Sequence, residues 1–118
     1  MEHTLEDLLI WDGERGQVYF YQSELPYGVD QTSFGDKFYV GYRVGKNVTS
    51  HNAYGVGVYQ FFRDHPVTVQ SAIQVPDSLV SSFVSPFSVF LSGLGKIEHV
   101  INNIGDATEN GTVTAYVC

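Results

Sequence analysis

The run Val67-Thr68-Val69-Gln70-Ser71-Ala72-Ile73-Gln74-Val75 repeats with a period of two, which places Val67, Val69, Ile73 and Val75 on one face. A segment with that pattern is a strand with one face turned to a core, and a helix would scatter the same residues around its axis. Residues 112–117 alternate in the same way and put Val113, Ala115 and Val117 inward. Segments 8–11, 18–21, 38–44, 54–62, 87–91 and 97–101 are richer in aromatic residues, and several are apolar on both faces, as strands covered on both sides are. Turn chemistry separates these runs at Asp12-Gly13, Arg15-Gly16, Tyr27-Gly28, Gly35-Asp36, Asp64-His65-Pro66, Pro76-Asp77, Gly93-Leu94-Gly95, Gly105-Asp106 and Asn110-Gly111. Gly41, Gly55 and Gly57 interrupt strand-like runs, where glycine weakens a strand unless a ring or another backbone must come close. Residues 78–84 are the one helical candidate, held to little more than a turn by the prolines on either side. The turns recur at intervals compatible with about five coils of a solenoid. Periodicity therefore predicts an all-β domain over residues 1–118 and leaves two architectures open, a β-sandwich and a short β-helix.

Charge and composition remove several functional classes. The net charge is -7, and the six basic residues, Arg15, Lys37, Arg43, Lys46, Arg63 and Lys96, are scattered. Neither a nucleic-acid partner nor a polybasic membrane anchor fits that distribution. No apolar run approaches the length of a membrane span. The acidic start, Met1-Glu2-His3-Thr4-Leu5-Glu6-Asp7, lacks the basic and apolar regions of a signal peptide, so a secretion signal is expected on other chain. Cys118 is the single cysteine. It is read either as a free thiol or as half of a disulfide to other chain or another subunit. Two sequons, Asn47-Val48-Thr49 and Asn110-Gly111-Thr112, tilt the compartment outward and mark Asn47 and Asn110 as glycan acceptors.

Particular words in the sequence go further. Tyr21-Gln22-Ser23-Glu24-Leu25-Pro26-Tyr27 precedes Gly35-Asp36 and Tyr39-Val40-Gly41-Tyr42-Arg43-Val44. His51, then Tyr54-Gly55-Val56-Gly57-Val58-Tyr59-Gln60-Phe61-Phe62-Arg63-Asp64, and finally His99-Val100-Ile101-Asn102-Asn103 follow. This series resembles the carboxy-terminal part of the pectate-lyase-like right-handed β-helix proteins. Within that group it is most similar to glycoside hydrolase family 55, the exo-β-1,3-glucanases, and their uncharacterised relatives. The resemblance runs over nearly the whole chain. It implies a short right-handed parallel β-helix with a β-rich cap, forming the carboxy-terminal portion of a longer protein that releases glucose from β-1,3-glucan with inversion. It also implies that Glu24 is the general acid, with Tyr27 beside it. The sugar-positioning residues of the family's first helical domain have no counterpart here, and no second carboxylate carries over.

The residues of that word make chemical sense in such a role, although a lone Glu is weak evidence by itself. Inverting hydrolysis needs a protonated carboxylic acid at the leaving oxygen and a second carboxylate to activate water. A carboxyl beside Leu25, Pro26 and Tyr27 is expected to be partly desolvated, which raises its pKa. Tyr21, Tyr27 and Tyr54 offer apolar faces to a sugar ring and hydroxyls to its edges, and Tyr21 and Tyr54 are the expected carbohydrate-binding residues. The plain alternative is a solvated loop carboxylate among core and turn tyrosines. His3, His51, His65 and His99 share no metal-ligand spacing and are expected to be hydrogen-bonded structural histidines. Gly55-Val56-Gly57 is no dinucleotide loop, and Ser71, Ser81 and Ser82 lie in no nucleophile elbow, so no cofactor is expected. Asn102-Asn103 is read as an ordinary polar turn, with a cap at the end of a coil as the other option. Three functions remain: part of a glucan-cleaving enzyme inactive alone, a secreted or cell-surface carbohydrate-binding module, or a self-associating structural subunit. The partners are accordingly a glucan or other polysaccharide, and a second copy or upstream chain covering the first coil.

Overall fold

In the computed structural model, which describes residues 4–118, the chain winds through three sheets in rotation. The first coil contains β1 (Ile10–Trp11), β2 (Gly16–Tyr19) and β3 (Gln22–Glu24). The second contains β4 (Tyr42–Val44), β5 (His51–Tyr54) and β6 (Gly57–Phe62). The third contains β7 (Thr68–Gln74), β8 (Phe83–Val84) and β9 (Phe87–Gly93), and β10 (Lys96–Ile101) begins a fourth. Strands one coil apart pair in parallel, and a last strand, β11 (Thr114–Tyr116), adds antiparallel to β9, giving sheets ordered β1-β4-β7-β10, β2-β5-β8 and β11-β9-β6-β3. This is a short parallel β-helix. The sandwich alternative is set aside, and the coils are fewer than the turn spacing suggested, because the loop from Leu25 to Gly41 spends two turn signals within one corner.

Register explains the core. Tyr42, Ile73 and Ile101 stack in one inward column, Val18, Ala53 and Phe83 in a second, and Ser23, Val58, Ser88 and Ala115 in a third. Most of these side chains are almost fully enclosed. Val67, Val69, Ile73 and Val75 are all buried, as the alternation of 67–75 requires. The long corner loop seats Leu25, Val29 and Phe34 in the same core, with a 3-10 turn at Gly35–Lys37. Its Gln31 side chain accepts from the Thr68 N–H at 2.6 Å and donates to the Thr68 carbonyl at 3.2 Å.

Three expectations are corrected. Residues 78–84 form a 3-10 segment, Asp77–Ser82, that runs directly into β8. At the other end β11 covers only Thr114–Tyr116, and Val113 is 53% exposed while Ala115 is buried. β11 turns back antiparallel onto β9, so its partner lies on one side only and Val113 falls beyond the covered part. Asn102 is not an ordinary turn residue. Its backbone is left-handed at φ 52°, and its buried side chain accepts from the Val75 N–H and donates to the Val75 carbonyl, each at 2.9 Å. It also donates to Asp77 at 2.9 Å. That side chain caps the third coil where β-pairing stops.

The antiparallel bridges Ile97↔Thr108 and Ile101↔Ile104 fold residues 102–118 over the last coil, closing one end with a β-rich cap. Closure matters because an open strand edge recruits further chain. The interior glycines pack as expected. A Cβ on Gly57 would lie 2.3 Å from the Phe87 ring, one on Gly55 3.1 Å from the Phe20 ring, and one on Gly41 2.6 Å from Val58.

Candidate functional site

Glu24 ends β3 on the outer face of the β11-β9-β6-β3 sheet. Its register neighbours are Tyr59 on β6 and then Val89 and Thr114. The next two residues turn inward: Leu25 is wholly enclosed and its N–H donates to the Tyr59 carbonyl at 3.0 Å, and Pro26 is buried behind it. This inward step fixes the angle at which Tyr27 returns to the surface. The Tyr27 hydroxyl then donates to Glu24 Oε1 at 2.9 Å. Both side chains are half-buried. Leu25 and Pro26 therefore anchor the loop and do not form an apolar wall beside the carboxyl.

The loop of the next coil braces this pair from outside. The Tyr27 ring packs on Phe61 with centroids 4.9 Å apart, and the Tyr27 carbonyl accepts from the Arg63 N–H at 3.0 Å. Arg63 pairs with Asp64 at 3.0 Å. The hydrogen bond and charge of Arg63 hold the Asp64 carboxyl below the usual carboxylate range. A Cβ on Gly28 would lie 3.3 Å from Asp64 Oδ2, which places this ionised carboxylate against the loop that carries Tyr27. The register row that carries Glu24 holds no second carboxylate.

An aromatic surface adjoins the pair. In the neighbouring row Gln22, Gly57, Phe87 and Tyr116 are register partners. The missing side chain at Gly57 lets the Phe87 ring lie down on the sheet. Tyr59 meets Phe87 edge-on at 6.1 Å, and Phe87 meets Tyr116 at 5.4 Å. Gln22 Nε2 reaches the Tyr59 hydroxyl at 3.5 Å. Sequence reasoning passed over Tyr59, Phe61 and Phe87 as sheet residues. Their signal was the run Tyr59-Gln60-Phe61-Phe62, whose alternate residues face outward into water.

The other expected site residues lie elsewhere. Tyr21 is half-buried, its hydroxyl donates to the Gly41 carbonyl at 3.1 Å, and its ring meets Tyr42 edge-on. Burial pushes its phenol up. Tyr54 belongs to the β2-β5-β8 sheet, where it stacks on Tyr19 with centroids 5.1 Å apart and planes 4° from parallel. Asn47 and Asn110 are both exposed, the first after β4 and the second in a tight antiparallel turn bridged by Glu109 and Thr112. Among the described residues no group of histidine, cysteine and carboxylate side chains is arranged to hold a metal, and no helix is long and apolar enough to cross a membrane. His51 and His99 are hydrogen-bonded within the fold, and His3 lies outside the described residues.

No protein-family profile matches the sequence. The chain is 38% identical over 117 residues to an exo-β-1,3-glucanase of Streptomyces sp. (strain SirexAA-E / ActE), a match that covers 95% of this chain and 19% of that protein. Two solved structures of sacteLam55A from Streptomyces sp. SirexAA-E superpose with a TM-score of 0.89 at 34% and 35% identity, covering 98% of this chain and 22% of theirs. One of those structures is a variant in complex with glucose. The chain thus spans about a fifth of the length of these relatives. In sequence and in fold it resembles the carboxy-terminal part of the glycoside hydrolase family 55 β-helix proteins.

Proposed function

We propose that this chain is the carboxy-terminal portion of a secreted or cell-surface glucan hydrolase, in which Glu24 protonates the glucosidic oxygen and Tyr27 orients that carboxyl or the sugar. The observation that carries the reading is the hydrogen bond between Tyr27 and Glu24, formed at the edge of an aromatic surface in a chain similar to an exo-β-1,3-glucanase. A hydroxyl held 2.9 Å from one carboxyl oxygen limits the rotation of that group. Orientation of this kind is a large part of what a positioned acid contributes to rate. Tyr59 and Phe61 add flat apolar area beside the acid, where the C–H face of a glucose ring can rest.

The same reading makes the isolated chain inactive. It has an acid and part of a surface, while inverting hydrolysis also needs a base on the opposite side of the sugar. Exchanging a general acid for its amide removes the donor proton and costs about two to four orders of magnitude in rate. In a longer protein containing this segment, Glu24→Gln should abolish most glucose release from β-1,3-glucan while leaving binding largely intact. Equal glucose release by the variant would assign the acid elsewhere. Robust glucose release by residues 1–118 alone would show a complete site and end the reading of this chain as a part.

A second reading has one observation in its favour. β1, β2 and β3 each end their sheets, with an outer edge that no described strand covers. Such edges pair readily with other chain, supplied either by upstream coils or by another copy in a structural subunit. Light scattering with and without reductant separates these, since assembly requires a mass that grows with concentration.

A further inference from the structure

Two cavities on the outer face of the β1-β4-β7-β10 sheet form one groove. A cavity of about 280 Å³ is bordered by Phe38, Tyr39, Gln70 and, at its end, Arg43 and Gln74. A second, of about 490 Å³, begins at the same Arg43 and Gln74 and continues past Lys46 to Pro76 and Asp77. Arg43 and Gln74 are register partners on β4 and β7, so they form the shared middle. At strand rise, the stretch from Gln70 to Asp77 is roughly 20 Å long. That shape suits an extended ligand.

The middle of the groove is rigid. Arg43 Nε donates to Asp7 Oδ2 at 2.7 Å, and Nη2 donates to Asp7 Oδ1 at 3.3 Å and to the Phe38 carbonyl at 2.8 Å. These bonds fix the guanidinium plane, and its Nη1 amino group has no hydrogen-bond partner among the described residues. Phe38 has left-handed backbone at φ 58°, a region that large side chains rarely adopt. That conformation brings its carbonyl to Arg43 while its ring stands 59% exposed at the rim. The same residue ends the 3-10 turn, its N–H donating to the Gly35 carbonyl at 3.1 Å, so the turn holds the ring in water at the cavity mouth.

Charge selects the ligand. The Arg43 charge is paired with Asp7 just outside the groove, and Lys46 and Asp77 both border its far end, so neither sign dominates. A chain of net charge -7 also repels polyanions at a distance. Gln70 Nε2 donates to Asn103 Oδ1 at 3.4 Å, so the polar groups left for a ligand are the Gln74 amide, the Gln70 carbonyl oxygen and the Arg43 Nη1 group, beside the Phe38 ring. Amides and a fixed guanidinium pair with vicinal hydroxyls, and a ring face covers the C–H side of a pyranose.

We infer that the Phe38–Arg43–Gln74 groove is an accessory binding site for one strand of a neutral polysaccharide, on a different sheet from Glu24 and without a catalytic role. The choice of β-1,3-glucan as that polysaccharide rests on the function proposed above. The site anchors substrate to the protein and is independent of the acid.

Calorimetric titration of the whole chain with a linear β-1,3-glucan hexasaccharide, with an oligogalacturonate of equal length as the acidic control, tests this. Phe38→Ala and Gln74→Ala should each weaken hexasaccharide binding by roughly tenfold, about 1.4 kcal/mol, with the acidic probe not bound by the unaltered chain. Thermal melts of both variants verify that they are folded. Undiminished hexasaccharide binding in both variants would overturn the accessory site and leave the proposed acid site standing. Tighter binding of the oligogalacturonate would overturn the neutral assignment. No binding of either sugar would overturn the inference, while the proposed acid remains testable by glucose release in the longer protein.

Discussion

The hydroxyl oxygen of Tyr42 and Nε2 of His51 lie 2.6 Å apart inside the coil. Tyr42 is on β4 and His51 on β5, so this bond joins two sheets across a corner. Trp11 and Phe83 pack around the imidazole, and its Nδ1 has no hydrogen-bond partner among the described residues. Burial lowers the His51 pKa below 6.5 and pushes the Tyr42 phenol well above its ordinary value of 10.0.

Stability should consequently fall on both sides of a plateau. Below about pH 6.5 the unfolded chain takes up a proton on His51 that the folded chain resists, so stability present above that pH is lost as pH falls. Above about pH 10 the unfolded chain releases the Tyr42 proton that the folded chain keeps, so stability is lost as pH rises. Thermal melts from pH 5 to pH 11 measure this. His51→Gln should flatten the acid limb, and Tyr42→Phe, which leaves His51 unpaired, should cost about 1–3 kcal/mol at neutral pH.

Asn102 combines left-handed backbone with three side-chain hydrogen bonds. Asn102→Gly keeps the backbone conformation and removes the bonds, for an expected loss of about 2–4 kcal/mol. Asn102→Ala adds the strain of a Cβ at positive φ, about 1–2 kcal/mol more. Urea melts that rank alanine above glycine would remove the backbone from this account.

Gly57 and Phe87 should be energetically coupled. Gly57→Ala forces the ring off the sheet, an overpacking cost of about 1–3 kcal/mol. In Phe87→Ala the space is open, so adding Gly57→Ala should cost much less. A double-mutant cycle that comes out additive would show that the ring does not rest on Gly57.

Tyr27→Phe separates orientation from packing. The Phe61 contact stays and the hydrogen bond to Glu24 goes. In the longer protein, kcat on β-1,3-glucan should fall by roughly ten- to a hundredfold, with KM little changed. A change confined to KM would make Tyr27 a sugar contact only.

The all-β class was legible because it is local. Alternation over 67–75 and the turn dipeptides need only neighbouring residues, and the glycines at 41, 55 and 57 announced close contacts before any partner was known. Glu24 and Tyr27 stood three residues apart in a recognisable word, so their meeting was also within reach. Tertiary structure alone decided that Tyr21 turns inward to Gly41, that Tyr54 stacks on Tyr19 in another sheet, and that Asn102 caps Val75 across 27 residues. It also decided that Arg43 from one coil meets Gln74 from the next. Each of those outcomes depends on parallel register between strands a full coil apart. A coil's length is set by its corner loops, whose burial of Leu25, Val29 and Phe34 has no periodicity to read.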